Sequence, residues 1–252
     1  MRYVRDPWAK RSLRRVIRRL AETTVGWKLI EAAVIPELGE QRFDAVDVWP
    51  AEVRGFHDLA FLFTATSLNY GLVSQNIDEA AYLYGVASSV APSATAVEIG
   101  RFKGGSTFLL AAALPPTATL YSYDLHLELP PGLTGEAIDL MLEQALGRYR
   151  LDAKVRLLVA DSRAVAVPED GVDFLFVDGD HSYEGVRADV EHWFGAMRPG
   201  GHMLFHDAAP FSGYPLGRSF PGVRRLVEEL KCREGVAYEG AAGSLVHFRL
   251  AS

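Results

Sequence analysis

Residues 96–107 read AVEIGRFKGGST, an apolar run that breaks off in a glycine-rich turn and gives way at once to a second apolar run. Val97 and Ile99 fit a buried strand, Gly100 interrupts it, and Gly104, Gly105, Ser106 and Thr107 open a helical stretch over residues 108–113. A strand, a glycine turn and a helix in such close order constrain the fold more than any other stretch. Glycines there let the backbone approach a ligand, and the free N–H groups of the following helix face it. A nucleotide-like cofactor suits that geometry. The dinucleotide spacing G-x-G-x-x-G is not met, since nothing follows Gly100 until Gly104. Glu98, two residues before that glycine, suits a cationic or hydroxyl-rich ligand better than a phosphate. A turn that merely packs a helix on a sheet is the alternative these residues leave open.

The pattern repeats along the chain. Asn76 is placed to cap a helix over residues 77–90, leading into the first strand. A second strand over 119–123 ends in Asp124, about 25 residues past Gly100, where an acidic group accepts hydrogen bonds from ribose hydroxyls. A helix over 135–149 follows, then a strand over 155–159 ending in Asp161 and Ser162. The apolar run 172–177 is bounded by charge and reads as a central parallel strand. Asp178, Asp180 and His181 crowd its carboxyl end, where ligands bind in open α/β sheets. The next helix carries Val186, Val190, Trp193, Phe194 and Met197 on one stripe, leaves His192 solvated, and is stopped by Pro199, Gly200 and Gly201. A fifth strand over 202–205 runs into His206 and Asp207, and a loop holding Phe211, Tyr214 and Arg218 lies on the same side. A helix over 223–231 and two closing strands, over 236–238 and 244–250, complete the order. This is an α/β fold, a doubly wound, Rossmann-like, mostly parallel sheet over residues 71–252, with an N-terminal helical arm or lid over residues 1–70.

The motif E-I-G-x-x-x-G-x-S resembles the first motif of class I S-adenosylmethionine-dependent methyltransferases, in the form used by metal-dependent O-methyltransferases. VDGDHSYEGV with RPGGHMLFHD resembles a bacterial branch acting on sugars or secondary metabolites. The resemblance implies a seven-stranded sheet with its last strand antiparallel. It also implies S-adenosylmethionine as cofactor, held by Glu98, Gly100, Phe102, Gly104, Gly105, Ser106, Thr107, Asp124, Leu125 and Asp178, with Asp161 and Ser162 beside the adenine. Asp178, His206 and Asp207 then take a divalent cation, magnesium or manganese. His206 stands where relatives usually show an oxygen ligand, which favours manganese or a softer ion over magnesium. The chemistry of the residues assigns His181 as general base, with Asp178 and His206 completing the catalytic set. The acceptor is read as a small-molecule hydroxyl, on a sugar or glycosylated metabolite rather than a phenol. A nicotinamide oxidoreductase and a non-catalytic binding module are the other classes considered.

Charge narrows the partners. Residues 1–20 hold eight Arg or Lys against Asp6, about +7, which leaves about −13 for the remainder of a chain whose net charge is −6. That balance disfavours nucleic acid. Leu13, Val16, Ile17 and Leu20 fall at helical spacing among these arginines and need an apolar partner, which suits a homodimer contact or a lid. Cys232 is the single cysteine, so there is no internal disulfide and no paired-thiolate zinc site. No apolar run is long enough to span a bilayer and no signal-peptide core is visible, so a cytoplasmic protein is expected.

Overall fold

The structure is a computed structural model that describes residues 42–46, 48–63, 71–127, 129, 132–209 and 220–251. The basic helix around Leu13 to Leu20 and the loop from Phe211 to Arg218 lie outside the described residues.

Seven strands form one sheet: β1 (Thr95–Ile99), β2 (Thr119–Asp124), β3 (Val155–Val159), β4 (Val172–Val177), β5 (Met197–Phe205), β6 (Val236–Ala242) and β7 (Leu245–Leu250). Their spatial order is β3-β2-β1-β4-β5-β7-β6. β1 pairs in parallel with β2 and β4, β2 with β3, and β4 with β5. β7 runs antiparallel to both of its neighbours. The chain therefore reverses direction across the sheet between β1 and β4, the crevice where open α/β sheets bind ligands.

Among the described residues five α-helices cover the two faces: α1 (Ile77–Ser88), α2 (Gly105–Ala113), α3 (Gly135–Arg148), α4 (Tyr183–Phe194) and α5 (Pro221–Lys231). The central strands are apolar on both sides because both sides are covered. Phe174 and Phe176 of β4 join Phe108, Leu83 and Leu142 in the core under α1, α2 and α3, while Leu175 and Val177 join Trp193, Leu226 and Val97 under α4 and α5. Each such side chain contributes roughly 1.5–3 kcal/mol by leaving water. The described part of the N-terminal region joins the first of these cores. Phe43 and Phe61 both pack on Phe108, with ring centroids 5.6 and 5.5 Å away, and Tyr149 donates its hydroxyl to the Pro50 carbonyl at 2.8 Å.

α1 begins as expected at Asn76, whose side chain accepts the N–H groups of Asp78 and Glu79 while Glu79 accepts that of Asn76. One expectation fails. Pro199, Gly200 and Gly201 do not separate a helix from a strand: α4 ends at Phe194, and β5 already begins at Met197 and carries all three residues. The register slips there, with Val172 opposite Met197 but Phe174 opposite His202. The Pro-Gly-Gly segment is thus a bulge inside the strand, and Met197 belongs to the sheet rather than to the helix stripe. His192 is half-buried, its ring edge-on to Trp193 at 5.3 Å, rather than simply solvated.

Candidate functional site

The parallel strands β1, β2, β4 and β5 all deliver their carboxyl ends to one edge of the sheet, and two groups of side chains meet there. The first surrounds the glycine turn. Gly100 has φ 86°, and a Cβ on it would run into the main-chain carbonyl of Asp178. Only glycine lets the two turns touch, and the Asp178 N–H donates to the Ile99 carbonyl across that contact at 2.8 Å. Glu98 is fully buried beneath α2. Its carboxylate accepts the hydroxyls of Ser106, Thr107 and Ser122, each at 2.6 Å. Burial pushes its carboxyl up, with those three hydroxyls acting in the other direction. Glu98 thus braces the first turn of α2 from below, and it is the half-buried Ser106 that stands between it and the turn's outer side.

Asp124, at the end of β2, accepts three backbone N–H groups: those of Arg101 at 2.8 Å and Phe102 at 2.9 Å on one oxygen, and that of His126 at 2.5 Å on the other. Leu125 lies partly exposed beyond it. Asp161 and Ser162 do follow β3, but their side chains are engaged elsewhere. Asp161 pairs with Arg163 at 2.8 Å, and the Ser162 hydroxyl donates to the buried Asp189 of α4 at 2.6 Å.

The second group stands at the ends of β4 and β5. Asp178, His181 and Asp207 each bring one ligand atom within 4.8 Å of the others. The His181 Nε2 lies 3.3 Å from Asp207 and 3.6 Å from Asp178, yet it is buried and has no partner in hydrogen-bond geometry. Burial works against a charged imidazole, but the two carboxylates outweigh it and push His181 up to about 9. The pair of acids is built to face positive charge. His181 also stacks on Phe220 at 4.2 Å. It does not cap α4, because the Ser182 hydroxyl does so by accepting the Gly185 N–H at 3.0 Å. Asp180 accepts the Ser182 N–H and stays half-exposed instead of orienting His181.

His206 stands on the inner side of the expected cation ligands, its Nδ1 also 3.7 Å from Asp207. Its Nδ1 faces Asp178 at 3.1 Å and its Nε2 faces Glu79 of α1 at 3.4 Å, so both ring nitrogens are taken by carboxylates inside the protein. Burial opposes its protonation, yet Asp178 and Glu79 together raise it well above the ordinary histidine value. Burial likewise opposes the ionisation of Asp178, and the two imidazoles nonetheless hold its carboxyl below the usual range. The third member of the converging group is His181 instead. Glu79 itself escapes a reading of the sequence except as the third residue of a helix cap. It also accepts the N–H and hydroxyl of Ser244 at 2.6 and 2.8 Å, a residue 165 positions away.

Comparison with known proteins agrees with this geometry. Residues 97–208 match the family model described as a methyltransferase domain. The chain is 26% identical over 156 residues to the "Uncharacterized protein R132" of Acanthamoeba polyphaga mimivirus, covering 58% of this chain and 64% of that protein. Among solved structures it is similar to the O-methyltransferase TomG of Streptomyces achromogenes, involved in tomaymycin synthesis and solved with S-adenosylmethionine. The identity is 18%, the TM-score 0.51, and 71% of this chain and 82% of that one are covered. It is also similar to an O-methyltransferase from Bacillus cereus solved with S-adenosylhomocysteine, at 18% identity and TM-score 0.51 over 70% and 82% of the two chains. Residues 97–208, which hold the glycine turn closing on β4 and the acid at the end of β2, thus match a methyltransferase domain, and the sheet around them has the fold of these solved O-methyltransferases.

Proposed function

We propose that the protein transfers a methyl group from S-adenosylmethionine to a hydroxyl of a small molecule, activated at the Asp178, His181 and Asp207 cluster. The observation that carries the reading is the buried, unpartnered Nε2 of His181, aimed at two carboxylates next to the turn that Gly100 closes. In the reaction the acceptor oxygen attacks the sulfonium methyl in line. The new O–C bond forms as the C–S bond breaks, S-adenosylhomocysteine leaves, and the hydroxyl proton passes to His181. Two carboxylates beside an unpartnered imidazole nitrogen fit a divalent cation, and Asp178 and Asp207 would hold it. When bound, such a cation lowers the pKa of a coordinated hydroxyl. A cation there would offset the carboxylate charge that raises His181 and so leave its imidazole able to accept a proton. The two oxygen donors suit magnesium or manganese.

Asp124 is proposed to take the ribose hydroxyls and Ser106 and Phe102 to flank the donor. The acceptor class, a sugar or glycosylated metabolite, is supported by Phe211, Tyr214 and Arg218, two aromatics and a guanidinium in the loop after β5. The apolar stripe of Leu13, Val16, Ile17 and Leu20 supports a homodimer, and the cysteine-poor composition supports a cytoplasmic one.

Calorimetry with S-adenosylhomocysteine and a labelled-methyl screen of sugar and phenolic hydroxyls test this. We expect micromolar donor affinity, roughly −8 kcal/mol, and transfer to sugar hydroxyls. His181→Ala should lose about 10²- to 10⁴-fold in turnover with donor binding intact. Chelation should abolish activity and magnesium or manganese restore it. Activity that survives chelation would make the cluster a metal-free acid/base site, and transfer to phenols alone would overturn the acceptor class. Donor binding without transfer to either panel would leave a binding protein.

A further inference from the structure

Arg101 directly follows the glycine that closes the turn, and its side chain points inward. The guanidinium is fully buried. Its Nε and Nη2 donate to the two carboxylate oxygens of Asp139 on α3 at 2.9 and 2.7 Å. Its Nη1 donates to the carbonyls of Ser122 on β2 and Leu158 on β3 at 3.0 and 3.1 Å, and its Nη2 lies 3.1 Å from the His126 Nε2. The same His126 nitrogen is 3.1 Å from Asp139. One fork therefore ties together the ends of two strands, the body of a helix and the turn after β2.

This network encircles Asp124 and nears its carboxylate with a side chain only at the His126 Nδ1, 3.8 Å away. What hydrogen-bonds to that carboxylate is backbone: the N–H groups of Arg101, Phe102 and His126. Two of these residues have left-handed backbones, Phe102 with φ 48° and His126 with φ 54°, conformations that cost a non-glycine residue on the order of 1 kcal/mol each. Something must hold them, and the side chains that do are those of Arg101, His126 and Asp139. A buried ion pair is weak grounds for expecting stability, since an apolar replacement is often neutral. Its bidentate geometry does fix position.

We propose that Arg101 and Asp139 are positioning residues for the methyl donor, setting the orientation in which Asp124 presents its carboxylate to the ribose. The inference rests on the donor-binding reading of Asp124 given above. Neither residue touches the donor; α3 acts on the donor site through the two turns that clasp Asp124.

The test is the affinity for S-adenosylhomocysteine, measured by calorimetry on the full chain for wild type, Asp139→Asn, Arg101→Lys, Asp124→Ala and the Asp139→Asn/Asp124→Ala double variant. Asp139→Asn preserves shape and removes the charge; should Arg101→Lys fail to fold, it carries the test alone. Both single variants should weaken binding by about tenfold or more, raising KM for the donor while kcat at saturating donor stays within about threefold. With Asp124 already removed, Asp139→Asn should change affinity by less than about twofold, because the two act as one unit. Wild-type affinity in both single variants would overturn the proposal, as would a penalty that persists undiminished in the Asp124→Ala background or an equal loss of kcat. If wild type itself does not bind S-adenosylhomocysteine, the donor-binding reading fails first and this inference falls with it.

Discussion

At the scale of single residues, function turns on side chains whose directions are dictated by neighbours far away in sequence. Gly100 is the sharpest case: the missing Cβ permits both φ 86° and the contact with the Asp178 carbonyl, so the glycine turn meets the end of β4. Gly100→Ala should destabilise by at least about 2 kcal/mol, because the strain of a positive φ adds to a collision with main chain that cannot rotate away. Urea denaturation measures the loss, and a variant as stable as wild type would mean the turn has room to spare. The residue types at 178, 181, 206 and 207 were legible as chemistry in the sequence, but their grouping was not. Two adjacent residues at a strand end point in different directions, and Asp207, with φ 55°, aims at His181 whereas His206 turns inward toward Glu79.

At the scale of elements, the strands and helices lie close to where periodicity put them, since alternating and helical apolar patterns are local properties. β3 and β4 begin and end as expected, and α1, α2 and α3 differ by a few residues at their ends. The failure at β5 has a local cause too: a Pro-Gly-Gly segment reads as a loop unless a neighbouring strand is there to accept a bulge. α1 does more than cover the sheet, because its cap presents Glu79 to both His206 and Ser244. Asn76→Ala should cost about 1 kcal/mol in stability through loss of the cap, while Asn76→Asp should restore most of it. Equal denaturation midpoints for wild type and Asn76→Ala would show that the tertiary contacts of Glu79 fix this helix end without the cap.

For the whole molecule, the antiparallel edge carries a second polar system. Tyr82 on α1 meets the His247 Nδ1 at 3.1 Å, and the His247 Nε2 meets His202 at 2.9 Å. Burial, then His202 and Arg249, push His247 from the usual 6.5 down to about 4. The folded state thus prefers the neutral ring, and the unfolded chain binds more protons between those two values. Stability from this group is complete above about pH 6.5 and is lost as pH falls toward 4, to a limit of about 3 kcal/mol. Urea midpoints at pH 7 and pH 5 should therefore differ by more in wild type than in His247→Asn, and parallel behaviour of the two proteins would remove His247 as the cause.

The sequence by itself determined the alternation of strands and helices, the two-sided burial of the sheet and the glycine turn at its centre, because these follow from patterns a few residues long. It also determined which residue types gather at the carboxyl ends of the strands. Only the tertiary structure decided that His181 joins Asp178 and Asp207 in one cluster while His206 bridges that cluster to Glu79, and that Glu79 reaches across 165 positions to Ser244. It alone buried Arg101 among two strands and a helix as well. These outcomes depend on side-chain direction at strand ends and on which helix packs above them. Both are set by the assembled sheet, and no local spacing encodes them.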